Sequence, residues 1–327
     1  MKIGNINVEN GLILAPMAGF TDRAMRLVCH RAGAEYSVSE MVSAKAVYYK
    51  DKKTHALARI MEDEGPCAVQ IFGSEPDIMA HAAEVLMRGE AGGVPPAAID
   101  INMGCPVKKV YSNGEGSALM KNPELIYRIV KAVSENIDIP CTVKIRAGVD
   151  KTSINAVECA LAAESGGASL VTVHGRTREE MYSGKADMDI IKSVKKSLHI
   201  PVVANGDICS AETAKEVLSY TGADGIMIGR AAIGNPFVFS EIYAALSGES
   251  YTPPTLSERV ETALTQLSAA IADKGEEVAV CESRKQIAMY LRSFRGAAAA
   301  RAEINRATAY SDVKTALYNA LEKENRE

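Results

Sequence analysis

Apolar runs rich in Val, Ile and Ala recur along the chain: 12 to 18 (LILAPMA), 35 to 41 (EYSVSEM), 67 to 73 (CAVQIFG) and 97 to 104 (AAIDINMG), then 141 to 148 (CTVKIRAG), 169 to 175 (SLVTVHG), 201 to 207 (PVVANGD) and 225 to 230 (GIMIGR). Such short continuous runs suit strands buried on both faces of a parallel sheet. Between them lie stretches such as SEPDIMAHAAEVLMRG and NPELIYRIVKAVSENI, whose apolar positions repeat at helical spacing. Eight strand-then-helix units in about 240 residues predict an α/β fold of the (β/α)8 TIM barrel type. A doubly wound open sheet fits less well, because no G-x-G-x-x-G follows the first strand and unusual polar residues follow nearly every strand.

From about Tyr243 the pattern changes. The stretch SGESYTPPTLSERV is polar with paired prolines, a linker signal, and the remainder is helical without a clear strand. The division expected is a barrel over residues 1–243 and a small all-α helical domain over 252–327.

Composition narrows the class. With 327 residues, 47% hydrophobic and 24% charged, the chain is that of an ordinary folded protein. No apolar run approaches the roughly 20 residues that span a bilayer, and the N-terminus MKIGNINVENG lacks the plan of a signal peptide, so a cytoplasmic protein off the membrane is expected. A net charge of −4 argues against indiscriminate coating of nucleic acid but leaves room for a local basic face. The seven cysteines are scattered without a C-x-x-C pair, which indicates neither a disulfide framework nor a zinc knuckle. Six of them fall in or at the edges of predicted elements and are expected to be small buried hydrophobes. Cys105, between a glycine and a proline in DINMGCPVKK, is the exception.

Polar residues at the C-terminal ends of barrel strands open onto one face and read as catalytic or ligand-binding. Here they form a set: Met17 and Ala18, Glu40, Gln70, Asn102 with Cys105, Lys144 with Arg146, His174 with Arg176, Asn205 with Asp207, and Gly229 with Arg230. After the last two strands, ANGDI and IGRAAIGNP place glycines where backbone can approach a phosphate, with Arg230 to pair with it; tight turns alone would also use those glycines. An unpaired buried ammonium is costly, so Lys144 suits an anionic ligand unless it emerges at the rim. His174 either donates to a ligand or holds Arg176. No H-E-x-x-H or clustered carboxylate motif occurs, and no metal is expected.

Seven motifs in order, APMAGFTDRAMR, DINMGCPVKKV, GSALMKNP, VKIR, VHGRTREEMYSGKAD, VVANGDI and IGRAAIGNP, strongly resemble the tRNA-dihydrouridine synthase family. The resemblance runs from about residue 10 to 240 and more loosely to about 306. It implies an FMN-dependent oxidoreductase that reduces a tRNA uridine to 5,6-dihydrouridine, with NADPH recharging the flavin. Carried over, FMN would rest on Pro16, Met17 and Ala18, with Gln70 and Lys144 at the isoalloxazine edge and His174 near it. Asn205, Gly206, Asp207, Gly229 and Arg230 would hold ribityl and phosphate. Cys105 would be the proton donor, a thiol kept neutral by burial. Asn102, Arg146 and Arg176 are candidates for contacts to the flipped uracil and to phosphate. An FMN barrel acting on a small pyrimidine is the second enzymatic reading, and an RNA-binding module with a degenerate barrel a third.

On a continuous helix, Arg284, Lys285, Arg292 and Arg295 would fall on one side of RKQIAMYLRSFR, opposite Ile287, Tyr290, Leu291 and Phe294. From 284 to 306 only Glu303 offsets six cations, a patch suited to an RNA backbone or simply a solvated face. The segment resembles the family's tRNA-binding region with departures: Gln286 and Met289 stand where His and Trp are common, and Arg292 where Lys is usual. The partner expected is tRNA, with no obligate protein partner.

Overall fold

The protein is seen in a computed structural model that describes residues 1–292, 294 and 296–325. Eight parallel strands close into a barrel: β1 (Leu12–Leu14), β2 (Tyr36–Val38), β3 (Cys67–Phe72), β4 (Ala98–Met103), β5 (Cys141–Arg146), β6 (Leu170–His174), β7 (Val202–Asn205) and β8 (Gly225–Ile228). Closure is made by Leu14 against Ile228 on one side and Ser37 against Cys67 on the other. All eight predicted strands are present.

The second is interrupted where the sequence reads as continuous. The Ser39 hydroxyl accepts the Gln70 N–H at 3.1 Å, and pairing with β3 resumes at Val42–Ser43. A side chain thus takes the place of one ladder acceptor, a tertiary event that hydropathy does not encode. A short N-terminal hairpin, Lys2–Ile3 with Ile6–Asn7, caps the lower end of the barrel with Ile3 and Val8.

Alternation of side chains along each strand explains the layering. Leu12, Leu14, Val202 and Ala204 pack outward against the helices, while Ile13 and Val203 point into the barrel. The lower interior is apolar: Tyr36, Ala68, Ala98, Leu170 and Val203 fill it. Two residues further along the same inward rows come Gln70, Asp100 and Thr172, then Asn102 and His174. The interior therefore turns polar toward the C-terminal face.

Helices alternate with the strands, among them Pro76–Met87, Pro123–Ser134, Ala156–Ser165, Met188–Ser197 and Ala211–Thr221. The last begins at a reciprocal cap, in which the Ser210 hydroxyl accepts the Thr213 N–H and the Thr213 hydroxyl accepts the Ser210 N–H. It ends where Gly222 adopts φ +68°. The helix after β8, Val238–Ser247, runs past Tyr243 to a left-handed Gly248 cap, because Ala244 and Leu246 continue its packing stripe.

Four further helices follow: Leu256–Lys274, Glu276–Ala288, Ala297–Arg306 and Tyr310–Asn325. They share a core of Val260, Leu267, Val280, Ile287, Tyr290, Leu291, Ile304 and Leu317. This group docks on the barrel through Lys274, which bonds Asp22 at 2.8 Å, through the Arg59–Asp273 pair, and through an alanine contact of Ala24 with Ala270 and Ala279. The continuous basic helix expected through 295 is not formed. Glu276–Ala288 ends at Met289, residues 289–291 turn back with Tyr290 and Leu291 bonded to the carbonyls of Ile287 and Ala288, and Gly296 takes φ +88° before the next helix. Arg284 and Arg292 are therefore not aligned on one face. Arg295 lies outside the described residues.

Candidate active site

The C-terminal face of the barrel holds a cavity of about 900 Å³. Pro16, Met17, Ala18, Gln70, Asn102, Cys105, Lys144, Arg146, His174, Asn205, Gly206, Asp207, Gly229 and Arg230 all line it, together with Arg292 from the helical segment. Its size suits a bound cofactor plus part of a second ligand.

On the β3–β5 side, side-chain amides form a bonded row. Gln70 donates from Nε2 to Asp100 Oδ2 at 2.7 Å, and Asn102 donates from Nδ2 to Gln70 Oε1 at 2.8 Å. The Asn102 carbonyl then accepts the N–H of Cys105 at 2.9 Å and of Gly104 at 3.2 Å. The cysteine loop is clamped from its other side as well, since the Cys105 carbonyl accepts the Ser117 hydroxyl at 2.7 Å and the Gly104 carbonyl accepts Arg146 Nε at 2.7 Å. Cys105 is 8% exposed. Burial pushes its thiol up, with the Val107 amide and Arg146 acting in the other direction, so it keeps its proton at neutral pH.

Lys144 projects inward from β5 and donates from Nζ to Asn205 Oδ1 at 2.9 Å. Burial, and secondarily Arg146, lowers its ammonium to about 7, against the opposing pull of Asp100. His174 ends β6 with Nδ1 accepting the Arg176 N–H at 3.2 Å, which leaves Nε2 to carry the proton in the neutral ring. Burial and the cations Lys144 and Arg146 lower its pKa to about 2. His174 is therefore a neutral ring in the cavity wall whose Nδ1 holds the Arg176 backbone.

The turn after β7 needs its glycine. Gly206 has φ +122°, and a Cβ there would lie 2.7 Å from that of Ala186 and 3.7 Å from His174 Nε2. Asp207, also at positive φ, accepts Arg176 Nη2 and the Ala186 N–H, each at 2.8 Å. Although burial acts to raise it, the Ala186 amide and Arg176 hold this carboxyl below its usual range. An ionised carboxylate spent in this way orders the loop and would repel a phosphate, which alters the direct contact expected of it. Arg230 lies 3.6 Å from Asp207 and stacks over Tyr182 at 4.7 Å, with about half of its side chain exposed. Its charge remains available to an anion.

Two of the residues expected to contact substrate have protein partners here. Arg176 is 2% exposed and absent from the cavity wall; it donates to the carbonyls of Ser183 and Gly184 and pairs with Asp207, because the loop after β6 would otherwise leave those carbonyls unmet. Arg284 donates to the carbonyls of Cys281 and Ala307 and joins two helices instead of lining the cavity. Lys285 is exposed, away from the cavity wall. Arg146 does line the cavity, yet its Nε and Nη1 donate to carbonyls of Gly104, Thr177 and Met181, so it also ties the cysteine loop to the loop after β6.

Glu40 turns to the Gly19 N–H and is not part of the wall. Of the six cysteines expected to be buried, Cys209 and Cys281 are exposed: the first precedes a helix cap at the cavity rim, and the second lies on a solvent-facing helix side. Apolar neighbours in sequence do not say which face a thiol takes. Missed entirely were Asp100, whose signal was a carboxylate inside an apolar strand run, and Met181 and Tyr182, large apolar side chains in a polar loop. Gln286 is a buried strut: it accepts from Gln266 at 2.8 Å, donates to the Phe20 carbonyl at 3.3 Å, and through Gln266 reaches the Tyr290 hydroxyl.

Among the described residues, no cluster of three or more His, Cys, Asp or Glu could hold a metal, and no helix is long and apolar enough to cross a membrane. The donors facing the cavity, from Gln70, Asn102, Lys144 and His174, suit an acceptor-rich heterocycle, and Arg230 on the opposite side suits a phosphate.

Comparison with known proteins agrees in class. A family model described as Dihydrouridine synthase (Dus) matches residues 13–325. A probable tRNA-dihydrouridine synthase of Rickettsia conorii is 42% identical over 93% of this chain and 91% of its own length. A tRNA-dihydrouridine synthase B of Shewanella oneidensis is 44% identical over 89% of each chain. Among solved structures, morphinone reductase aligns with TM-score 0.54 at 14% identity over 79% of this chain and 91% of that one, a likeness of fold.

Proposed function

The chain belongs to the dihydrouridine synthase family, and from that premise we propose that it reduces the C5=C6 bond of uridine in tRNA with FMN as bound cofactor, NADPH as reductant and Cys105 as the acid. The observation that carries the reading is the buried, protonated Cys105 facing the same cavity as Lys144, Gln70 and Asn102.

The residues fit FMN. Pro16, Met17 and Ala18 offer an apolar ledge, Gln70 and Lys144 offer donors for ring carbonyls, and His174 offers a neutral N–H. The glycine turns and Arg230 accept the ribityl phosphate, with Asn205 oriented by its bonds to Lys144 and the Met227 carbonyl. FMN held by these residues would supply hydride chemistry at C6 of the uracil, with NADPH as its reductant.

The chain's own part is the proton. Reduction at C6 leaves electron density at C5, and Cys105 gives its Sγ proton to that carbon. The remaining thiolate lies near Arg146 and recovers its proton from solvent. Asn102 and Ser117 fix the backbone that carries the thiol, bonding the Cys105 N–H and carbonyl. Asn102 and Arg146 line the region where the base is gripped. Tyr182 stands at the rim, where a flipped nucleotide enters.

The helical segment 252–327 is the surface on which tRNA is oriented. Arg292 joins the cavity wall from that segment, and Lys108 and Lys109 lie exposed beside the cysteine loop. The direct test is incubation of the purified protein with unmodified tRNA transcript, FMN and NADPH. Dihydrouridine should form and NADPH be consumed in equal amounts, and a colourless protein that ignores FMN would refute the proposal.

A further inference from the structure

Asp100 lies below the cavity, 2% exposed, and none of the chemistry above uses it. It accepts the Thr142 hydroxyl at 2.5 Å on Oδ1 and Gln70 Nε2 at 2.7 Å on Oδ2. From Gln70 the bonds pass to Asn102 and end on the Cys105 amide.

A side-chain amide has two nearly isosteric orientations, and only its partners decide between them. An ionised carboxylate can only accept. With one oxygen taken by Thr142, the other requires the NH2 end of Gln70, so the Gln70 carbonyl must face Asn102. That carbonyl requires the NH2 end of Asn102, which leaves the Asn102 oxygen toward the loop, where it meets the N–H groups of Gly104 and Cys105. Reversing any link sets donor against donor in a buried site, where neither finds water.

We infer that Asp100 is a positioning residue: its carboxylate sets the direction of the Gln70–Asn102 amide relay and thereby anchors the loop that carries Cys105. Its consequence for catalysis rests on the reading of Cys105 as the acid, whereas the anchoring itself does not. Burial raises this carboxyl's pKa on balance, with the bonds from Thr142 and Gln70 and the nearby Lys144 opposing it; the two donated bonds on its oxygens are what mark it as the acceptor that starts the row. Asp100 is not itself part of the cavity wall and touches no reacting atom, so its effect passes through Gln70 and Asn102.

Hydrogen exchange resolved to single amides, on full-length protein as purified, tests the relay. Asp100→Asn keeps the shape but can turn either end toward Gln70, so the Gly104 and Cys105 amides should exchange about tenfold faster, the equivalent of one lost hydrogen bond, while strands β6 and β7 keep their protection. Thr142→Val should leave both loop amides unchanged. The double variant Asp100→Asn with Gln70→Glu moves the carboxylate one step along the row. Placed at position 70, it accepts from the new amide at position 100 and from Asn102, and loop protection should return to within about twofold of the parent.

Unchanged loop exchange in Asp100→Asn overturns the inference, as does protection lost equally across the barrel and not regained in the double variant. Should the single variant not fold, the double variant decides alone: parental protection at Cys105 supports the relay, and its loss overturns it. Because the readout is exchange and not turnover, a failed relay leaves the role of Cys105 standing, and a failed role for Cys105 leaves the relay standing.

Discussion

Lys144 on β5 reaches over the barrel interior to Asn205 on β7, Nζ to Oδ1 at 2.9 Å, and both side chains end in the cavity wall. With its ammonium lowered to about 7, this lysine changes charge near neutrality when no ligand is bound. A flavin ring presenting carbonyls, and negative charge once reduced, is held better by the ammonium than by the amine. Binding therefore raises the pKa of Lys144. FMN affinity should be full below about pH 7 and fall above it by up to about tenfold per unit, until the pKa of the bound state is passed. Flavin fluorescence titration from about pH 6 to about pH 9 measures this, and Lys144→Met should give weaker binding with a flat profile. In the flavin-free protein the sign is opposite. A folded-state pKa below the unfolded one makes stability rise as pH climbs from about 7 toward 10.5.

Gly206→Ala tests the turn after β7. The new methyl meets Ala186 at 2.7 Å and the backbone stays at φ +122°. A loss of about 1–3 kcal/mol in stability is expected, together with weakened FMN binding, both read by thermal melts with and without FMN.

Arg176 separates an internal strut from an RNA contact. Its guanidinium is buried on two carbonyls and Asp207, so Arg176→Ala should cost about 2–4 kcal/mol in unfolding titrations. The salt dependence of tRNA binding should not change, because no phosphate contact is removed.

Arg292 is exposed at the rim, bonded to the Met289 sulfur at 3.2 Å. Reversing it with Lys285, Arg292→Glu and Lys285→Glu, should weaken tRNA binding and reduce the slope of log affinity against log salt by roughly 1–2. FMN content should be retained. Affinity equal to the parent's would move the RNA surface elsewhere.

Much of the architecture was legible because parallel strands buried on both faces read as plain Val and Ile runs, and because polar residues at their ends could only belong to the open face. Gln70, Asn102, Lys144, His174 and Asn205 were expected at that face for this reason, and all five line the cavity. The break at Ser39 was not legible, since it depends on a hydroxyl meeting the Gln70 amide from another strand. The helix through 295 was misread because a 3.6-residue apolar period persisted while residues 289–291 left the helix. Arg176 and Arg284 illustrate a general limit: a cation at a promising position is indistinguishable in sequence from one that caps backbone carbonyls. Asp100 could have been noticed, as a carboxylate two residues before Asn102 on the same inward row must be bonded to something.

Cys105→Ala measured in two half-reactions separates proton donation from flavin reduction. NADPH should reduce the bound flavin at the parental rate, while single-turnover formation of dihydrouridine in tRNA should fall by about 10²–10⁴-fold, the usual contribution of a general acid. Dihydrouridine formed by Cys105→Ala at close to the parental rate would show that Cys105 is not the acid.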